Sequence, residues 1–125
     1  MNVVDSSGWV EYFIQAKNAD FFTAPIQDLD NLLVPSICIY EVFKHIFQEL
    51  GEENALQAAG IMCSGREVEL ERKISIDAAK ISIDLKLAMA DSIILASARA
   101  YDATLWTQDA HFKAIEGLRY IEKKL

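Results

Sequence analysis

Short apolar runs alternate with helix-length segments along this sequence, and that alternation constrains the fold more than any other feature. Asn2-Val3-Val4-Asp5 is too short for a helix, and Ser6-Ser7-Gly8 follows at once, offering caps to a helix through Trp9, Val10, Phe13 and Ile14. Residues 20–31 carry Pro25 and read as an irregular stretch. A second strand is predicted at Leu32-Leu33-Val34, after which Pro35-Ser36 opens a helix from about Ile37 to Leu50 that stops at Gly51. A further helix fits residues 53–62, Gly65 resets the chain, and Glu67-Val68-Glu69-Leu70 alternates like a half-exposed strand. Residues 77–85 place Ala78, Ile81 and Leu85 at helical spacing, and residues 91–101 are apolar on most sides, as expected of a central, buried helix. Thr104-Leu105-Trp106-Thr107 reads as a strand, residues 108–116 as a loop with a helical turn, and residues 118–121 as a last short strand.

Strands separated by crossover-length helices pair in parallel, so the expected architecture is a three-layer α/β/α sandwich around a small, mainly parallel sheet. With 125 residues and no repeat or linker-like tract, residues 1–125 are expected to form one domain. There is no basic, apolar leader and no run long enough to span a membrane, so the expected location is cytoplasmic, without membrane contact. Cys38 and Cys63 are far apart, lack metal-ligand spacing and read as reduced structural thiols. The net charge of −7 excludes one broad function class, the proteins that hold nucleic acid through a basic face.

The placement of particular carboxylates says more than their number. In open parallel sheets the functional crevice lies beyond the carboxyl ends of the strands, where the strand order reverses. Asp5 closes the first strand, Glu41 stands about one turn into the helix after the second, Asp91 begins the buried late helix, and Asp109 follows the strand ending at Thr107. Each also has a plainer reading: Asp5 and Asp91 as helix caps, Glu41 as a solvated partner of Lys44 or His45, Asp109 as a turn residue. Together, four carboxylates in one crevice repel one another unless protonated or bridged by a cation, and Mg²⁺ or Mn²⁺ takes such oxygen ligands. A site of this kind suits hydrolysis of a phosphodiester bond.

VVDSS at the N-terminus, PSICIYEVFK, LAMADSIILASARAYDATLWTQDAHF and the closing GLRYI together resemble the PIN-domain proteins, most closely the small VapC toxins of toxin–antitoxin pairs. The resemblance implies a Mg²⁺- or Mn²⁺-dependent endoribonuclease in which Asp5, Glu41, Asp91 and Asp109 bind the metal and position water, with Asp5 and Asp91 the most direct ligands. Thr107 matches the family's supporting strand-end hydroxyl and Ser6 the small polar residue after the first Asp. The resemblance further implies an RNA substrate, a homodimer and a cognate antitoxin, and Phe21-Phe22-Thr23-Ala24-Pro25-Ile26 is a candidate intermolecular surface. Lys44, Arg66, Arg72 and Lys73 are candidates for a local basic strip against RNA. One departure stands out: many relatives carry a further Asp two residues after the position of Asp109, where this chain has His111, which bears on a second metal site. His111 itself reads as a surface loop residue or as a phosphate contact or proton donor.

Two competing readings follow from the residues. A phosphoacceptor receiver domain has a similar size, layering and acidic pocket, but expects paired acids after the first strand and a Lys after the last core strand, where this chain has Asp5-Ser6 and Thr107-Gln108-Asp109. A binding module with a decayed site is the other, favoured by His111 and opposed by the presence of all four acids.

Overall fold

The computed structural model describes residues 1–125. Five strands form one sheet: β1 (Asn2–Val4), β2 (Leu32–Pro35), β3 (Arg66–Val68), β4 (Thr104–Thr107) and β5 (Arg119–Tyr120), in the order β3-β2-β1-β4-β5. Every neighbouring pair is parallel, so the sheet expected to be mainly parallel is wholly so. Central β1 places Val3 opposite both Leu33 and Leu105. All of β2 is buried, the continuous apolar run of a strand covered on both faces.

Six helices fill the crossovers: α1 (Ser6–Phe13) and α2 (Ala19–Gln27) between β1 and β2, α3 (Ser36–Leu50) and α4 (Glu52–Met62) between β2 and β3, α5 (Arg72–Leu85) and α6 (Met89–Ala100) between β3 and β4. The first two crossovers run one way across the sheet and the third runs back. Right-handed connections therefore put α1 to α4 on one face and α5 with α6 on the other, which is the predicted sandwich. Gly51, at φ 87°, makes the break between α3 and α4 in a backbone region that favours glycine. None of the helices is long and apolar enough to cross a membrane.

The segment expected to be irregular is helical. Pro25 sits in the last turn of α2, where its missing N–H costs one ladder bond, and burial of Phe22, Pro25 and Ile26 holds the turn in place. This also corrects the reading of Phe21 to Ile26 as an intermolecular surface. Phe22 is fully buried, and Phe21 packs on Phe22 and on Trp106 with ring centroids 5.0 and 5.1 Å apart. Other boundaries move by a few residues. β3 ends at Val68, opposite Pro35 where its partner β2 ends; α5 begins at Arg72, before residue 77, because Ile74 is already buried; and β5 is limited to Arg119–Tyr120. Neither cysteine is paired; Cys38 is buried under the sheet's carboxyl edge and Cys63 is exposed.

Candidate active site

The chain leaves β1 toward β2 and leaves β4 toward β5, which lie on opposite sides, so the connections diverge and open a crevice between the carboxyl ends of β1 and β4. Asp5 stands at the first of these ends. It is 2% exposed and caps α1: Oδ1 accepts from Gly8 N at 3.0 Å and from Ser7 Oγ at 2.8 Å. Oδ2 accepts from Thr107 Oγ1 at 2.8 Å, and that same hydroxyl accepts from Asp109 N at 2.9 Å. The capping and site readings of Asp5 are thus compatible. Burial raises its carboxyl from the ordinary range to about 7 despite these hydrogen bonds, and the charge of nearby Asp109 adds to the rise.

Asp91 stands in the first turn of α6, while the cap position belongs to Ala88, so Asp91 is not the helix cap. Seven consecutive residues after it, Ser92 to Ala98, are buried, which fixes the helix against the sheet. Partial burial and then the charge of Asp109 raise its carboxyl, and His111 partly offsets both. Asp109 caps a 3-10 turn at Ala110–Phe112 by accepting from His111 N at 2.9 Å. The turn brings the His111 ring beside the two acids at the rim: Nδ1 lies 3.2 Å from Asp91 Oδ2 and 3.3 Å from Asp109 Oδ1.

The structure therefore gathers Asp91, Asp109 and His111, with one ligand-type atom of each within 4.8 Å of the others, and links Asp5 to Asp109 through Thr107. Glu41 stands outside that three-donor group. Its partner is neither Lys44 nor His45 but Ser6, whose hydroxyl donates to Glu41 Oε1 at 2.7 Å across the start of α1. Lys44 instead lies over the Tyr40 ring, 5.8 Å from its centroid, and Lys73 pairs with Asp77 at 2.7 Å. Beside the acids, Ser6, Ser7, Glu41, His45, Gln108 and Lys123 line a polar cleft of about 360 Å³.

Several of these roles are absent from the sequence reading. Ser7 is legible afterwards as the second residue of a capping run. A buried network is less so: Glu11, 3% exposed, accepts from Asn18 N at 2.8 Å and Gln108 Nε2 at 2.9 Å, and Asn18 Nδ2 donates to Gln108 Oε1 at 3.0 Å. It ties α1 and the α1–α2 loop to the residue between Thr107 and Asp109. Glu11 carries no periodicity signal that separates it from a solvated helix position.

The donor set fits a divalent cation. Two carboxylates and an imidazole nitrogen converge from α6 and the turn after β4, burial and then the charge of Asp109 raise Asp5 and Asp91, and the groups face an open crevice.

The comparisons agree on the architecture. No curated protein matches the sequence. Among solved structures, VapC20 of Mycobacterium tuberculosis, described as a sarcin–ricin loop cleaving toxin, superimposes with a TM-score of 0.80 at 14% identity, covering 98% of this chain and 100% of that one. A toxin–antitoxin complex from Klebsiella pneumoniae gives 0.75 at 20% identity over 94% and 95% of the two chains. FitAcB from Neisseria gonorrhoeae gives 0.73 at 17% identity over 98% and 97%. The PIN domain model matches residues 3–118, nearly the whole run from β1 to the start of β5, and the chain therefore belongs to the PIN domain family.

Proposed function

We propose that this protein is a divalent-metal-dependent endoribonuclease, the toxin of a VapBC-type toxin–antitoxin pair, acting on RNA phosphodiester bonds with Mg²⁺ or Mn²⁺. The observation that carries the reading is the convergence of Asp5, Asp91 and Asp109 at the switch point of a parallel sheet. Family membership and the VapC20 and FitAcB likenesses support it.

Asp91 and Asp109 would hold the metal, with Asp5 behind them. A bound divalent ion supplies charge neutralisation at the phosphate and activation of water. Asp5 is fixed by three hydrogen bonds, so its carboxylate cannot turn away from the crevice. Thr107 sets the distance between Asp5 and the Asp109 backbone. Glu41 receives a hydrogen bond from Ser6 on Oε1 and has no side-chain partner on Oε2, the atom suited to take a proton from water in the cleft. Lys123 gives that cleft a cation and His45 a ring nitrogen, where an RNA phosphate would lie.

The partners have surfaces of their own. Along α3, Ile39, Tyr40, Phe43 and Phe47 line an apolar groove of about 570 Å³, with Tyr40 and Phe47 exposed. It suits the apolar segment of an antitoxin, the kind of partner named for the Klebsiella complex. Exposed Ile76, Ile83 and Met89 on the α5–α6 side suit a second copy of the chain.

Purified protein is expected to cleave RNA with Mn²⁺ or Mg²⁺, to stop on addition of EDTA, and to lose cleavage on Asp91→Asn while keeping its melting transition. Cleavage that continues in EDTA would overturn the mechanism. Absence of any Mn²⁺ binding that depends on Asp5 would favour the binding module with a decayed site instead.

A further inference from the structure

We propose that His111 is itself a metal ligand, so that the site presents a mixed nitrogen–oxygen donor set that favours transition ions over Mg²⁺. The inference rests on the reading of the crevice as a metal centre and adds to it the identity of one donor and the class of ion selected.

Three observations carry it. His111 Nδ1 lies between the two acids, at 3.2 Å from Asp91 Oδ2 and 3.3 Å from Asp109 Oδ1, so three donors from two separate elements point at a common space. The backbone that carries the ring is anchored. Its backbone N–H is held by Asp109 Oδ1 at 2.9 Å, and the next residue, Phe112, is fully buried, so the turn is anchored although the His111 side chain is 71% exposed. Finally, no other protein group hydrogen-bonds the imidazole, and its remaining nitrogen is free of any protein partner.

With Asp91 and Asp109, the Nδ1 atom of His111 makes a one-nitrogen, two-carboxylate set within 4.8 Å. All-oxygen sites suit Mg²⁺, whereas an imidazole in the set raises affinity for first-row transition ions, in the order Mn²⁺ below Co²⁺ and Ni²⁺. An Asp in place of His111 would restore an all-carboxylate site. The substitution thus changes which ions the crevice prefers, without removing a donor.

The test uses Mn²⁺ as the probe on the whole protein, with binding followed by calorimetry and by the electron spin resonance of free Mn²⁺. Electron spin echo modulation of the bound ion reports directly whether nitrogen is coordinated. The expected result is nitrogen modulation in the wild type that is lost in His111→Ala, with His45 still present as an internal control. His111→Asp is expected to bind Mn²⁺ without nitrogen modulation and to lower the Mn²⁺/Mg²⁺ affinity ratio below that of the wild type. Mn²⁺ bound with no nitrogen modulation, or modulation that survives in His111→Ala, overturns the ligand role and leaves the metal centre standing. Mn²⁺ binding indifferent to both Asp91→Asn and Asp109→Asn overturns the centre together with the ligand.

Discussion

The Thr107 hydroxyl donates to Asp5 Oδ2 at 2.8 Å while accepting from the Asp109 backbone N–H at 2.9 Å, so one oxygen atom joins the ends of β1 and β4. Thr107→Val keeps the shape and removes both bonds. It is expected to cost about 1–3 kcal/mol of stability, because Asp5 and the Asp109 amide lose a partner in a largely dry site. RNA cleavage should fall by up to roughly 10²-fold through misplacement of the acids. Thr107→Ser should restore most of both, as read by urea unfolding and by a cleavage assay in Mn²⁺.

Asp5 predicts how stability depends on pH without added metal. The folded chain holds this proton up to about pH 7, whereas an unfolded Asp releases it near 3.9. Between those values the unfolded state loses a proton that the folded state keeps, so stability should fall as pH rises through the window and level off above it. Asp91, also raised, adds in the same direction. Asp5→Asn removes the larger contribution, and in EDTA it is expected to be more stable than the wild type at pH 8. Equal pH slopes for the two proteins in thermal unfolding would contradict this.

Glu11 tests the network behind the crevice. Glu11→Ala strands the Asn18 N–H in a buried place and leaves Gln108 Nε2 only its long bond to Ser7 O at 3.4 Å, at about 1–3 kcal/mol. Glu11→Gln should also destabilise, for a subtler reason. Its oxygen can serve Asn18 N, but its NH₂ then faces the NH₂ of Gln108. Turning Gln108 over would put its NH₂ against that of Asn18, whose other nitrogen partner is the Glu122 carbonyl. The polarity of the network runs in one direction only. Urea midpoints of the two variants provide the check.

Gly8 is the tightest point of the first helix. A Cβ there would lie 2.6 Å from Phe22 Cε1 and 2.7 Å from Val4 Cγ1, both fully buried. Gly8→Ala should cost about 1–3 kcal/mol, against the usual gain of alanine in a helix, since α1 must lift from β1 or Phe22 must turn. The melting temperature measures it.

Much of the architecture was legible because apolar patterning reports which faces are buried. The strands at Leu32-Leu33-Val34 and Thr104 to Thr107, and the all-round burial of the helix after Asp91, are of this kind. α2 was not legible, because a proline normally ends a helix and only the packing of Phe22 and Ile26, invisible in one dimension, offsets the bond it removes. At the site, chain order placed Asp5, Asp91 and Asp109 at one sheet edge. The donor to Glu41 and the approach of His111 to Asp91 depend on distances between α1 and α3 and between α6 and the turn after β4, which no local signal encodes.

The buried helix behind Asp91 separates what can vary in this protein from what cannot. Any change along Ser92 to Ala98 is felt by the core, so the position of Asp91 is inherited with the fold and tolerates little drift. His111, His45 and Lys123, by contrast, stand at the open rim, where substitution leaves the packing alone. Divergence among chains of this architecture is therefore expected to hold the place of Asp91 while readily exchanging the groups at the rim.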